Sequence, residues 1–299
     1  MTPSVTMKNI AFIINPISGT RNKHRIPKII ERTIDTTQWS YDIVFTKYKG
    51  HATELAKNYA ALDFNAVVAV GGDGTMNEVA SGLVHTDTAL GIIPIGSGNG
   101  LARHLHIPLT LERAIEMLNH AEPITIDYAM LNEQPFFCTC GTGFDAFISS
   151  QYAASGKRGF TSYLEQIVKG VFSYQPDHYH LKGDGIDIET DAFLITIANA
   201  NQWGNNGFIA PHASIQDGQL DIAIVSQFPL IAAPELALKL ISKNIDKDSF
   251  VNTLITKEIT ITREKEDDMH FDGEPIPMGK SFTVRIVPEG LKVMVEKRY

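Results

Sequence analysis

Four short apolar segments, each followed by a turn and then by a stretch of helical periodicity, constrain the fold of this chain more than any other feature of its sequence. They are Ile10–Ile14, Tyr41–Phe45, Ala66–Val70 and Leu90–Ile95. Ile10-Ala-Phe-Ile-Ile14 and Ala66-Val-Val-Ala-Val70 are unbroken apolar runs, the pattern of a strand buried on both faces. Helices are expected around Pro27–Thr33, over His51–Ala61 where Leu55 and Tyr59 stand at i, i+4 spacing, through Leu83 after the third segment, and from Leu101 after the fourth. Strands alternating with helices are joined by right-handed crossovers, which predicts an α/β, doubly wound parallel sheet over residues 1–127.

Beyond Asp127 the pattern changes. Tyr128–Leu131, Gln134–Cys140, Gly185–Glu189, Phe193–Asn199, Leu220–Val225, Thr256–Thr262, Met269–Phe271, Ser281–Val287 and Leu291–Val295 read as strands separated by Gly, Pro and Asp turns. Runs such as Ile259-Thr-Ile-Thr262 alternate with period two. Residues 128–299 are therefore expected to form a mostly antiparallel second domain, with helices around Ser162–Phe172 and Pro234–Ser242 and with its last residues packing back on the first domain.

Charge narrows the function. Against 26 Lys and Arg stand 34 Asp and Glu, a net charge of −8. That balance argues against nucleic-acid binding, whose affinity comes from neutralising phosphates, and contact with an anionic membrane would need a local basic patch. Cys138 and Cys140 are too few for the disulfide framework of a secreted protein and read as a reduced pair, with a cytoplasmic location. Met1–Asn9 lacks the apolar run of a signal peptide, and no stretch reaches the ~20 apolar residues of a membrane-spanning helix. A lipid substrate would then be reached peripherally, from the membrane surface, and a homodimer is compatible with the sequence.

The third segment ends in Val70-Gly71-Gly72-Asp73-Gly74-Thr75-Met76-Asn77-Glu78. Glycines there let the backbone approach a ligand with no Cβ in the way. The helix that follows turns unpaired N–H groups and its positive dipole end toward the turn, which suits phosphate. Thr75 and Glu78 have capping-box spacing, which predicts that the helix begins there. A carboxylate at Asp73, among phosphate-binding amides, is unfavourable unless a divalent cation bridges it to the phosphate. Gly96-Ser97-Gly98-Asn99-Gly100 and Asn15-Pro16-Ile17-Ser18-Gly19 fall on the same carboxyl edge of the sheet, where open α/β folds bind ligands. Neither a Walker loop nor a Rossmann fingerprint is present at the required spacing.

Gly71-Gly72-Asp73-Gly74-Thr75, with Asn15-Pro16 and Ser18-Gly19 upstream and Gly98-Asn99 downstream, resembles the catalytic domain of diacylglycerol and sphingosine kinases, and in particular the soluble bacterial lipid kinases. The resemblance continues through Gly141-Thr-Gly-Phe-Asp145, through Asp217-Gly218 and Asp221, and through Asp272-Gly273-Glu274, and so covers essentially the whole chain. It implies a nucleotide-binding α/β domain joined to a β-sandwich-like domain. The implied activity is ATP- and Mg2+-dependent phosphorylation of the hydroxyl of a diacylglycerol-like or sphingoid lipid. ATP is implied at Asn15, Pro16, Ile17, Ser18 and Gly19, at Thr46, at Gly71, Gly72, Asp73, Gly74, Thr75, Met76 and Asn77, and at Ser97. Glu274 is the implied general base, with Asp272 in the same signature, and Asp73 is implied to help position metal and phosphate. A structural Mg2+ is implied on Ser214, Asp217 and Gln219. Taken without the resemblance, Asp272-Gly273-Glu274 reads as a hairpin turn.

One departure bears on the substrate. Bacterial diacylglycerol kinases commonly carry an acid where this chain has Gly100, so the implied network of that acid with Asp73 and Asp127 is incomplete; Ser97-Gly98-Asn99 instead resembles the sphingosine and ceramide kinase loop. Phe144, Phe147 and the segment Tyr163–Phe172 are candidates to line an acyl channel or simply to fill the core, and Lys157, Arg158 and Lys169 are candidates for a basic face. The ten histidines read as surface or core residues. An NAD kinase shares Gly-Gly-Asp-Gly-Thr but lacks the Asp217-Gly218 and Asp272-Gly273-Glu274 signatures; a non-catalytic nucleotide- or lipid-binding regulator is the alternative from another class.

Overall fold

All six residues of Ala66–Gly71 and of Ala89–Pro94 are buried, as are the last five of Lys8–Ile14. Strands with no exposed face need cover on both sides, and the fold supplies it with helices. The computed structural model describes residues 7–19, 25–155, 165–166, 169–171 and 173–297, and divides into two units. One runs to Ile126 and includes the chain from Glu289 onward; the other is Asp127–Pro288.

The first unit is built on the parallel strands β1 (Lys8–Ile14), β2 (Trp39–Phe45), β3 (Ala66–Gly71) and β4 (Ala89–Pro94), in the order β2-β1-β3-β4. Between them lie α1 (Ile26–Thr33), α2 (His51–Ala61) and α3 (Asp73–Leu83), and after β4 come α4 (Gly100–His104) and α5 (Leu111–Leu118). Helix α1 packs with α5, and α2 with α3. Right-handed crossovers running in opposite directions from β1 to β2 and from β2 to β3 put these pairs on opposite faces of the sheet. The direction reverses between β1 and β3, so the loops leaving those two strands flank the topological switch point.

The second unit contains two sheets. In one, β8 (Asp177–Gly183) pairs with β9 (Ile186–Ala192) and with β13 (Glu258–Arg263), which pairs with the first residues of β16 (Ser281–Glu296). The other has the order β12 (Val251–Thr256), β11 (Leu220–Val225), β10 (Leu194–Ala198), β7 (Thr139–Gly143), β14 (Asp267–Phe271), β15 (Glu274–Met278), all antiparallel. Period-two alternation sorts the side chains. Ile195, Ile197, Ile222 and Ile224 enter the core shared with Tyr179, Leu181, Ile261 and Phe282 of the other sheet. Leu194, Ala198, Ala223 and Val225 point the other way, into a second core with Phe144 and Ile148 of α6 (Phe144–Ala154) and Leu236 of the helix Ala233–Ile241. An α/β sheet followed by a β-sandwich is the fold class that the sequence predicts.

Several boundaries differ from expectation. The run 134–140 is two strands, β6 (Gln134–Phe136), which pairs with β5 (Ala121–Leu131), and β7, because the N–H groups of Phe137 and Cys138 turn to the Asp272 carboxylate. The run 256–262 breaks at Lys257, whose N–H goes to Asp184. The runs 281–287 and 291–295 are one strand that passes through Glu289 at φ 51° without reversing. Strands β8 and β12 and helices α5 and α6 were not expected; in β8 the alternation of buried Tyr179 and Leu181 with more exposed His178, His180 and Lys182 is the signal. The helix expected over 162–172 falls largely outside the described residues, as do Lys157, Arg158, Tyr163, Leu164, Ile167, Val168 and Phe172.

Candidate active site

In the first unit, three loops of the carboxyl edge are tied together by short polar contacts. Asn15 donates its N–H to the Val70 carbonyl at 3.1 Å and its side-chain amide to Thr75 Oγ1 at 2.9 Å, while its own Oδ1 accepts from the Ile17 N–H at 3.0 Å. Ser18 Oγ lies 3.3 Å from the same threonine oxygen. Thr46 leaves β2 beside them, its N–H on the Ile14 carbonyl at 2.9 Å. The glycines let these turns close up. A Cβ on Gly71 would stand 2.3 Å from Thr75 Cβ, and one on Gly96 2.5 Å from the Gly72 Cα. Ser97 is exposed on the loop that Gly96 brings against Gly72.

Helix α3 begins at Asp73, not at Thr75. The expected capping box does not form, because its two members have other partners: Thr75 serves Asn15 and Ser18, and the Glu78 carboxylate accepts the N–H groups of Gly50 at 2.9 Å and Ala52 at 3.2 Å, so it caps α2. Gly72 at the N-cap makes no side-chain hydrogen bond, which leaves the first-turn N–H groups of α3 facing the loop cluster. Met76 is buried and donates its N–H to the Gly72 carbonyl, so it belongs to the helix and core rather than to the cluster.

The Asp73 carboxylate accepts the Asn99 N–H at 2.8 Å and the Gly100 N–H at 2.7 Å, so a backbone amide engages each of its oxygens. Asn99, at φ 53°, folds its side chain back onto Gly96, accepting from its N–H at 3.1 Å and donating to its carbonyl at 2.9 Å. Arg103 Nε closes the loop on the Gly98 carbonyl at 3.0 Å. Gly100, which has no side-chain acid to offer, contributes its amide.

In the second unit, Asp272 and Gly273 form the two-residue turn of the β14–β15 hairpin, with Phe271 opposite Glu274 and φ of 46° and 82°. Positive φ at both positions is the type I′ geometry that Asp-Gly favours. The turn is more than a connection, because Asp272 is buried and its carboxylate accepts three N–H groups, from Phe137 at 3.0 Å, Cys138 at 2.7 Å and Thr139 at 3.2 Å. Glu274, the next residue, is half-buried at the start of β15.

Alternate residues of β14 continue this polar face. His270 Nε2 lies 3.0 Å from Asp145 Oδ2, which also accepts from Thr196 Oγ1 at 2.9 Å. A carboxylate only accepts, so Nε2 is the donor, and Nδ1 is buried with no hydrogen-bond partner among the described residues. Asp268 accepts from Ser150 Oγ at 2.6 Å. At the open end of the hairpin, buried Arg263 donates to Thr142 Oγ1 at 2.8 Å and to the carbonyls of Met278, at 2.8 Å, and Asp267. Burial and the charges of Asp145 and Asp272 push the Cys140 thiol up, so it is a core group; Cys138 is likewise buried, and the two thiols are not joined in a disulfide. Sequence reasoning passed over His270, Thr196 and Arg263. The alternation of Asp268, His270 and Asp272 with apolar Met269 and Phe271 is the pattern that reveals a polar strand face.

The loop 214–219 is pinned to Asp127, whose N–H donates to the Ile215 carbonyl at 2.7 Å and whose carboxylate accepts the Gly218 N–H at 2.8 Å. Ser214 Oγ accepts from the Gln216 N–H at 3.3 Å and Asp217 from the Gln219 N–H at 3.0 Å. Burial, and then the charge of Asp217, raise the Asp221 carboxyl to about 6. A divalent cation held beside Asp217 would offset its repulsion of Asp221. Among the described residues no three His, Cys, Asp or Glu side chains gather to hold a metal ion, so a cation here would rest on Asp217 with carbonyl oxygens and water. Phe144, a candidate for an acyl channel, is instead packed among Phe193 and Tyr174 in the second core, with Phe147 at its margin.

Comparison with known proteins matches both halves of the chain. Residues 9–131 fit the model of the diacylglycerol kinase catalytic domain, and residues 138–295 that of the YegS C-terminal NAD kinase beta sandwich-like domain. The "probable lipid kinase YegS-like" of Yersinia enterocolitica is 30% identical over 251 residues, covering 82% of this chain and 83% of its own. The "probable lipid kinase YegS" of an Escherichia coli O17:K52:H18 strain is also 30% identical, with 82% of each chain covered. The crystal structure of a Bacillus anthracis diacylglycerol kinase superposes with a TM-score of 0.76 at 20% identity, over 97% of this chain and 98% of that one, a likeness of fold.

Proposed function

Because the chain belongs to the diacylglycerol kinase-like family of lipid kinases and is therefore a kinase, we infer that it transfers the γ-phosphoryl group of ATP to the hydroxyl of a diacylglycerol-like or sphingoid lipid. The observation that carries this reading is the loop cluster at the sheet switch point, where Asn15, Ser18 and Thr75 meet beside the uncapped start of α3. Backbone amides and hydroxyls gathered there offer the donors that a polyphosphate accepts from. In this reading Asn15 to Gly19, Thr46, Gly71 to Thr75, Asn77 and Ser97 hold the nucleotide, and Asp73 acts by fixing the 99–100 amides.

The transfer forms a bond from the acceptor oxygen to the γ-phosphorus and breaks the bond from that phosphorus to the oxygen that leaves with ADP. The acceptor hydroxyl is too weak an acid to lose its proton unaided, and Glu274 takes it. A positioned carboxylate base contributes about 10²–10⁴ in rate. Asp272 is a positioning residue here, because both its oxygens are engaged by the amides of 137–139. Mg2+, when bound, supplies charge neutralisation on the transferring phosphoryl group. A second, structural Mg2+ would be held by Ser214, Asp217 and Gln219.

Incubation of the protein with γ-labelled ATP and a total lipid extract is expected to give a labelled lipid, whose identity names the acceptor. Glu274→Gln is expected to lower that transfer by about 10²–10⁴ while nucleotide binding holds. Unchanged turnover would remove Glu274 as the base. Label on NAD, or released only as inorganic phosphate, would replace the lipid acceptor.

A further inference from the structure

The loop that leaves β2 carries an aromatic pair. Tyr48 and His51 stack with ring centroids 4.7 Å apart and planes inclined by 26°. The Tyr48 hydroxyl donates to Glu54 of α2 at 2.7 Å, and His51 Nδ1 accepts the Lys47 N–H at 3.1 Å. Tyr48 is nevertheless 56% exposed. The imidazole covers one face of its ring, so that exposure belongs largely to the other. A ring held at its hydroxyl and on one face has already lost the freedom that a flat ligand would otherwise have to remove.

The place of this ring in the first unit says what meets it. Thr46, two residues before Tyr48, donates its N–H to the Ile14 carbonyl at 2.9 Å, beside Asn15. At the other end of the loop, the Glu78 carboxylate accepts the N–H groups of Gly50 and Ala52, and the Glu78 carbonyl accepts the Thr53 hydroxyl at 2.8 Å. Loop 46–50 is thus tied on one side to the turn after β1 and on the other to the second turn of α3. The first turn of α3 carries the N–H groups that face the loop cluster. Axes of packed helices lie about 8–10 Å apart, a gap that a sugar bridges. A phosphate at the start of α3 therefore leaves the organic end of its molecule within reach of Tyr48. Ile17, 66% exposed on the turn after β1, adds apolar surface at the same edge of the sheet.

We propose that the open face of Tyr48 is the shelf on which the base of the bound nucleotide stacks. The proposal rests on the nucleotide site argued above and adds the residue that selects the nucleotide. Stacking is tolerant of sequence because every base has a π-face, but a purine presents the larger one. The shelf therefore favours purine over pyrimidine nucleotides. Glu54 and His51 act as positioning residues, the first holding the Tyr48 hydroxyl and the second backing its ring.

Calorimetric titration of the full-length protein with ADP, CDP and inorganic tripolyphosphate, each with Mg2+, tests this without turnover. The wild type is expected to bind ADP more tightly than CDP. Tyr48→Ala is expected to lower ADP affinity about fivefold or more, the usual loss of one stacked base. It is expected to keep its affinity for tripolyphosphate, which has no base, and its melting temperature, since the side chain is exposed. Tyr48→Phe, which retains the ring and loses the hydroxyl, is expected to recover most of the ADP affinity. A Tyr48→Ala variant that binds ADP like wild type would overturn the proposal. So would one that loses ADP and tripolyphosphate equally, which would mark damage to the phosphate loops, or a wild type that binds CDP as tightly as ADP. Failure of the kinase reading shows separately. A wild type that binds ADP but labels no lipid from γ-labelled ATP removes that reading and leaves the shelf standing, whereas one that binds neither nucleotide nor tripolyphosphate overturns both.

Discussion

Asp73 places both carboxylate oxygens on backbone amides, those of Asn99 and Gly100. Removing it leaves two largely buried N–H groups unpaired, each costing about 1–3 kcal/mol. Asp73→Ala is therefore expected to lower the melting temperature and to weaken nucleotide binding together, whereas Asp73→Asn, which keeps one acceptor oxygen, recovers part of both; calorimetry and nucleotide titration on the same samples check this. A residue that served only to bind metal would instead lose its Mg2+ response with no change in melting. Asp272 follows the same logic in the other unit. In both cases an acidic side chain beside a glycine orders the neighbouring backbone.

At the scale of elements, Glu78 shows how a sequence pattern can be right in chemistry and wrong in address. Its spacing from Thr75 predicts a cap on its own helix, but its carboxylate crosses to α2 and takes the N–H groups of Gly50 and Ala52. Glu78→Ala is expected to cost about 1 kcal/mol, the usual value of a helix cap, read as a lower denaturation midpoint. Glu78→Gln, still able to accept one bond, is expected to cost less. The β14–β15 hairpin is the counterpart in the second unit, fixed at its tip by Asp272, along its face by His270 and Asp145, and at its open end by Arg263. Its Asp-Gly turn is legible because φ is positive at both positions. The polar face behind it depends on which side of β14 meets α6, and residues far apart in the chain decide that.

For the molecule as a whole, the parallel sheet is readable because burial on both faces leaves unbroken apolar runs such as Ile10–Ile14 and Ala66–Val70. The β-rich unit is harder to read. Its strands are short, and some alternate charged with apolar residues, as β8 does; others are ended by side chains from distant positions, as Asp272 ends the 134–140 run and Asp184 the 256–262 run. The loops at the switch point are legible as glycine-rich turns, but their mutual contacts through Thr75 are tertiary and leave no local trace. Metal dependence belongs at this scale, since two sets of residues are involved. Chelation is expected to abolish phosphoryl transfer. Asp217→Asn is expected to reduce the rise in melting temperature that Mg2+ confers, while leaving nucleotide affinity near that of the wild type; an unaltered thermal response would remove the 214–219 loop as a cation site.

Strand β16 pairs through Ser281–Arg285 with β13 in the second unit and through Val293 with Leu90 in the first. The polypeptide thus leaves the α/β unit near Ile126 and re-enters it at Glu289. No single scission yields both units intact. A fragment stopping at Ile126 forfeits a neighbour of β4, and one starting at Asp127 drags along a tail whose partners have been left behind. Excising 127–288 as an insert, with residues 126 and 289 rejoined by a short linker, is the dissection that respects the threading of this chain.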